Sequence, residues 1–180
     1  NKISLKARLM LLTGIAFILF VLVGVVGLTG INTLNKALED IYKERMVPMK
    51  TLDDVFAGMT RSRTELLLAL QHEPNSEFLD MHNHPVAQHT DAILMVQEEN
   101  RKAWMQLDGQ KFTPENKRLV DSLKAAADEL RIEGVNSSVQ ALNNGNYYRA
   151  NEIILTKINP ALTDIRAVMG QLSESLMAEA

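Results

Sequence analysis

The chain has 180 residues, of which 46% are hydrophobic and 23% charged, with a net charge of −3. That length suits one domain with an accessory segment, and the charge supplies no global basic field for nucleic acid. Cysteine is absent, which excludes disulfides, iron–sulfur clusters, thiolate zinc sites and a catalytic cysteine.

Aromatics make up only 5% of the chain, and helix formers dominate it. Residues 9–35 carry no charge, and residues 9–28 read LMLLTGIAFILFVLVGVVGL. Twenty residues of helix span about 30 Å, the thickness of a bilayer's hydrocarbon core. A cleavable leader would have a shorter apolar run ending in a small-residue cleavage site. Here the apolar run continues straight into an amphipathic helix, so an uncleaved anchor is expected. Lys2, Lys6 and Arg8 precede the run, and no acid appears before Glu39. The positive-inside rule then keeps the N-terminus in the cytoplasm. Residues 1–30 are assigned to the cytoplasmic N-terminus and a single inner-membrane span, and residues 31–180 to a periplasmic domain. The chain opens on Asn1 and stops at Ala180 in mid-helix, as a fragment would.

After the anchor the apolar residues recur at helical spacing, and no stretch alternates as a half-buried strand does. The first helix continues through Leu34, Leu38 and Ile41, bends at Pro48, and resumes with Leu52, Phe56, Met59, Arg63, Leu66 and Leu70. His72-Glu73-Pro74-Asn75 ends it. A second helix carries Val86, Thr90, Ile93, Gln97, Asn100, Trp104 and Leu107 and closes at Asp108-Gly109. A third opens with Thr113 as cap and Pro114 at its first position, then Glu115. Its stripe is Leu119, Leu123, Ala126, Leu130, Gly134 and Ser137. Asn143-Asn144-Gly145-Asn146 combines a left-handed C-cap with a cap for the fourth helix. That helix carries Ile154, Ile158, Ala161, Ile165, Val168 and Leu172, with a bend at Pro160. The expected fold is all-α: a transmembrane helix continuing into an antiparallel up-down four-helix bundle, roughly 45–60 Å long.

The chemistry is sparse. His72, His82, His84 and His89 are crowded in sequence, with Asp80 the nearest acidic candidate. His-x-His plus a third histidine could bind zinc or copper, but no acidic or cysteine ligand sits at a helical i, i+4 position to complete the site, so they read as a polar turn and capping region, and no metal is assigned. Glu-x-x-His pairs, haem attachment motifs, phosphate loops and nucleophile elbows are missing, so neither an enzyme nor a cofactor is expected. Polar residues on the apolar stripes are more informative. Arg63 occupies a core-type position, and Arg61 points to another side. Thr90 interrupts the second stripe, Arg131 flanks the third and Thr156 the fourth. A guanidinium at a buried seam needs an anionic partner, either a protein carboxylate such as Glu65, Glu129 or Glu133 or a carboxylic-acid ligand.

Several stretches together resemble the sensor half of methyl-accepting chemotaxis proteins that carry a four-helix-bundle ligand-binding domain. They are the basic-flanked anchor, Ile41-Tyr42-Lys43-Glu44-Arg45-Met46-Val47-Pro48-Met49, Arg61-Ser62-Arg63, His84-Pro85-Val86-Ala87-Gln88-His89-Thr90-Asp91, Arg131-Ile132-Glu133-Gly134-Val135 and the Gly145-Asn146 turn. The resemblance covers essentially the whole chain. It implies a homodimer with the first helices at the interface; Phe56, Met59 and Leu66 are the residues expected to meet the partner. It also implies a second membrane span and a cytoplasmic signalling module after Ala180. Similar receptors bind amino acids, di- or tricarboxylic acids or aromatic acids. In the related aspartate receptor, first-helix arginines and a fourth-helix threonine hold the ligand, and the matching positions here are Arg63, Arg61 and Thr156. That receptor uses three such arginines, whereas Leu66, Leu67 and Leu70 follow Arg63 here. The resemblance therefore implies a small organic or amino acid without implying aspartate. The alternative output is a membrane histidine kinase or a diguanylate cyclase.

Overall fold

The computed structural model describes residues 4–178, and among these there are helices and turns but no strand. The chain divides into two compact units, Asn1–Lys43 and Glu44–Ala180.

The first unit is the helix α1, Leu5–Ile41. Its 37 residues extend about 55 Å, more than a bilayer core requires. It is long and apolar enough to cross a membrane, and none of its residues is buried within the protein. Its threonine hydroxyls are satisfied from within. The Thr13, Thr29 and Thr33 hydroxyls donate to the carbonyls of Leu9, Val25 and Thr29, respectively, as a polar group in hydrocarbon must. The helix α1 runs on beyond the apolar stretch, and the compact unit that holds it extends to Lys43.

The second unit is the bundle. Its first rod is α2, Val47–Leu70, and its second is α3, Ala87–Asp108. The third joins α4, Pro114–Glu129, through a π-helical segment, Leu130–Asn136, to α5, Ser137–Asn143. The fourth joins α6, Tyr147–Ile153, through another π-helical segment, Ile154–Ile158, to α7, Asn159–Ala178. The second rod has 22 residues, about 33 Å, so it is shorter than the apolar spacing led us to expect. The connection between the first two rods includes a 3₁₀ turn at Leu79–Met81.

Local chemistry explains where the rods begin, end and widen. Thr113 accepts a hydrogen bond from the Asn116 N–H at 3.3 Å, and Pro114 follows at N1. At the other end Gly145 adopts φ +69°, which an L side chain resists. Its N–H donates to Leu142 O, and the Asn146 N–H to Ala141 O, forming a Schellman turn. Asn146 Oδ1 then accepts from Arg149 N and starts the next helix. The prolines expected to bend two helices are accommodated by π turns. Proline removes a donor and crowds the carbonyl four residues back. For Pro48 and Pro160 those residues are Glu44 and Thr156, and each lies inside a π segment, Tyr42–Met46 or Ile154–Ile158.

The core is built from Leu52, Val55 and Leu66 of α2, Ile93 of α3, Val120 and Leu123 of α4, and Ile154, Ile158, Ile165 and Leu172 of the fourth rod. In α2 the buried position between Met59 and Leu66 belongs to Ser62, while Arg63 sits half-buried at its edge. Two π segments face each other where the third and fourth rods meet, and a Cβ on Gly134 would lie 2.9 Å from Ile158 Cγ1.

Candidate functional site

Arg63 projects from α2 towards the fourth rod, where its Nε donates to Asn159 Oδ1 at 2.5 Å. That partner is a neutral amide. Two of the carboxylates weighed as internal partners are directed elsewhere: Glu65 bonds His89, and Glu133 pairs with Lys157. Among the described residues no carboxylate forms a salt bridge with Arg63. A half-buried guanidinium thus holds its position through one neutral contact, and its charge is not cancelled.

The remaining sequence candidates are dispersed. Arg61 is exposed and lies 3.6 Å from Glu99 of α3, beside a shallow groove of about 300 Å³. Thr90 is buried in the first turn of α3, and its hydroxyl donates to Ala87 O. Thr156 is exposed and donates to Glu152 O at 2.7 Å. The fourth-rod residue that reaches Arg63 is Asn159. It escaped the sequence reading because it interrupts no apolar stripe. Its only signal was a polar side chain immediately before Pro160.

Arg131 lines a cavity of about 490 Å³, open between α2, α3 and α4. Met59, Ser62, Gln97, Asn100 and Trp104 form its floor and walls. Three cations rim it, and each already has a carboxylate. Arg101 lies 2.7 Å from Glu98, Lys124 2.7 Å from Asp108, and Arg131 3.1 Å from Asp128. The Arg101 hydrogen bond holds the Glu98 carboxyl below the usual carboxylate range. An acid entering here competes with those carboxylates; at Arg63 it does not.

The expected dimer contacts also change. Met59 and Leu66, at 8% and 0% exposure, are consumed by the bundle's own core. The Phe56 ring lies beneath the Arg166 guanidinium, 4.9 Å from its centroid. The outward residues of α2 are instead Lys50, Asp53, Asp54, Ala57, Arg61 and Thr64. The stripe misled because an amphipathic helix shows the same spacing whether it faces its own bundle or a partner.

The four histidines converge. Read as turn and cap residues, they cap no helix: the α3 N-cap is Val86, with no side-chain bond. One ligand atom from each of His72, His82, His84 and His89 lies within 4.8 Å of the other three. His89 Nδ1 is 2.8 Å from Glu65 Oε2, and His82 Nε2 is 2.7 Å from Gln71 Oε1. Burial, then the neighbouring His82, His89 and His84, pushes the His72 pKa below the ordinary histidine value.

A family model described as the Tar ligand binding domain homologue matches residues 1–180, so the chain belongs to that family of chemoreceptor ligand-binding domains. Comparisons with curated proteins and with solved structures return no match.

Proposed function

We propose that this member of the Tar ligand-binding-domain family senses a small organic or amino acid at Arg63 and passes the signal through the membrane. The observation that carries the ligand class is the half-buried Arg63 guanidinium, held by the neutral Asn159 amide with no carboxylate in salt-bridge reach. A ligand carboxylate supplies the missing charge and can bond the guanidinium in bidentate fashion. It would also touch α2 and the fourth rod together, so it favours whichever arrangement of those rods fits it best. Transmission then runs along the fourth rod to a second span and a cytoplasmic signalling module beyond Ala180. The working unit is a homodimer with the bundle on the periplasmic side.

Calorimetric titration of a panel of amino, dicarboxylic and aromatic acids tests the site. Arg63→Ala should weaken the best acid by about 2–5 kcal/mol, the usual scale for truncating one partner of a buried charge pair. Arg131→Ala should leave that acid's affinity near wild type. The reverse pattern moves the site to the 490 Å³ cavity. Unchanged affinity in both variants removes acid binding from either place.

A further inference from the structure

We propose that His72, His82, His84 and His89 bind one divalent transition-metal ion of the zinc class, joining the end of α2 to the start of α3. The site is independent of Arg63 and of acid binding.

Each ring has one nitrogen left for a metal. His89 Nδ1 is engaged by the Glu65 carboxylate, which leaves Nε2. His82 Nε2 is engaged by the Gln71 carbonyl oxygen, which leaves Nδ1. His84 Nδ1 lies 3.4 Å from Pro85 O, which leaves Nε2. His72 and His89 are 8% and 6% exposed, and the Nε2 of both is buried with no hydrogen-bond partner in the protein. Leaving two ring nitrogens unpaired in a buried place is unfavourable. A shared metal ion satisfies both at once.

The surrounding acceptors match what metal-bound histidines require. A ligating imidazole usually donates its other N–H to a carboxylate or carbonyl, which fixes the tautomer and raises the basicity of the bound nitrogen. Glu65, Gln71 and the Pro85 carbonyl are such acceptors for three of the four rings. With four imidazoles and no oxygen ligand, the donor set disfavours calcium and magnesium and suits zinc, nickel or copper. Tetrahedral zinc with Zn–N of about 2.0–2.1 Å places its ligand nitrogens about 3.3 Å apart. One ring nitrogen from each histidine lies within 4.8 Å of the others, a spacing that ring rotations can bring to the tetrahedral value. The ring centroids are already 4.5–6.1 Å apart, so no helix needs to move.

The consequence is mechanical. His72 follows α2 directly, His89 sits in the first turn of α3, and His82 and His84 lie in the connection between them. One ion would tie three stretches of backbone together at the tip of a helix pair.

The test uses the full chain in detergent, purified without a histidine tag and stripped of metal. Zinc is titrated against a chromogenic chelator, cobalt(II) is followed by its visible ligand-field bands, and melting is recorded with and without zinc. Wild type should bind one zinc per chain with submicromolar Kd, give the intense bands of tetrahedral cobalt, and melt at higher temperature with zinc. Glu65→Gln should weaken zinc by about 10–100-fold, the scale for losing an outer partner of a ligand. His89→Gln should weaken it further and abolish the zinc-dependent rise in melting temperature. His84→Ala, on the half-buried rim, makes the same test should His89→Gln fail to fold. Absence of saturable zinc binding by wild type overturns the proposal, as does unchanged affinity in His84→Ala.

Discussion

Arg63 and Asn159, 96 residues apart, are joined by a 2.5 Å hydrogen bond from α2 to the head of α7. It links the helix that follows α1 to the last rod of the bundle through a contact that a carboxylate could displace. Asn159→Asp places that carboxylate in the protein itself. A charge-assisted bond is roughly twice as strong as a neutral one, so the variant should melt at higher temperature. It should also bind the cognate acid about tenfold or more weakly, a loss of roughly 1.4 kcal/mol, because the site is already filled. Paired melting and calorimetric measurements check this. A higher melting temperature with undiminished affinity would place the acid elsewhere.

Gly134 and Gly58 are both closely approached, with opposite expected results. A Cβ at Gly134 lies 2.9 Å from Cγ1 of Ile158, a β-branched side chain that is fully buried. Neither the stiff side chain nor the packed π segments can yield, so Gly134→Ala should lose about 1–3 kcal/mol to overpacking. At Gly58 the Cβ meets only the side chain of Asn100, which is half-buried and can rotate away. The better helix propensity of alanine, about 1 kcal/mol, should offset that adjustment. Urea unfolding of both variants separates the cases. Equal losses would mean that the two approaches are alike.

The features legible in the sequence are those set by local chemistry. Thr113 with Pro114 and Gly145 with Asn146 each specify a helix end within a few residues, and each does so in the structure. The four-rod, all-helical architecture followed from apolar spacing alone. Residues whose meaning depends on distant partners were not legible. His72, His82, His84 and His89 have no helical spacing, and only the folded connection at Leu79–Met81 brings their rings together. Glu65 gave no sign of facing His89, because a carboxylate beside an apolar stripe usually faces solvent. Arg63 falls on an apolar stripe and Arg131 and Thr156 beside one, yet each finds a different partner: Asn159, Asp128 and the Glu152 carbonyl. A stripe fixes the face of a helix, not its height relative to the neighbouring rods.

Dimerisation should be weak, and ligand should strengthen it. With Met59 and Leu66 spent in the core, the outward face of α2 offers Lys50, Asp53, Asp54, Ala57, Arg61 and Thr64. A two-fold contact brings that polar patch against itself; Lys50 pairs with Asp54 at 2.6 Å, so Asp53, which forms no salt bridge among the described residues, is the charge that opposes its own copy. Asp53→Asn should tighten the dimer of residues 44–180. Sedimentation at several concentrations, with and without the best acid, checks both. A monomer at every concentration with saturating acid would count against a ligand-coupled dimer.

The N-terminus should lie in the cytoplasm and the bundle on the other side of the membrane. Lys2, Lys6 and Arg8 precede the apolar run, and the first charge after it is Lys36, followed by Glu39 and Asp40. Cytoplasmic flanks retain lysine and arginine close to a span, and acids contribute little to that choice, so the cluster of three should set the orientation. Nothing within the apolar run of residues 9–28 opposes insertion, since it carries no charge and its Thr13 hydroxyl donates to the Leu9 carbonyl. Reporter fusions at His72 and after Ala180 should both be active as periplasmic enzymes and silent as cytoplasmic ones. Replacing Lys2, Lys6 and Arg8 with neutral residues should produce mixed orientation, because Lys36 then becomes the first basic residue beside the span. Cytoplasmic activity at His72 in the unaltered chain would overturn the assignment and, with it, any route by which an acid outside the cell reaches Arg63.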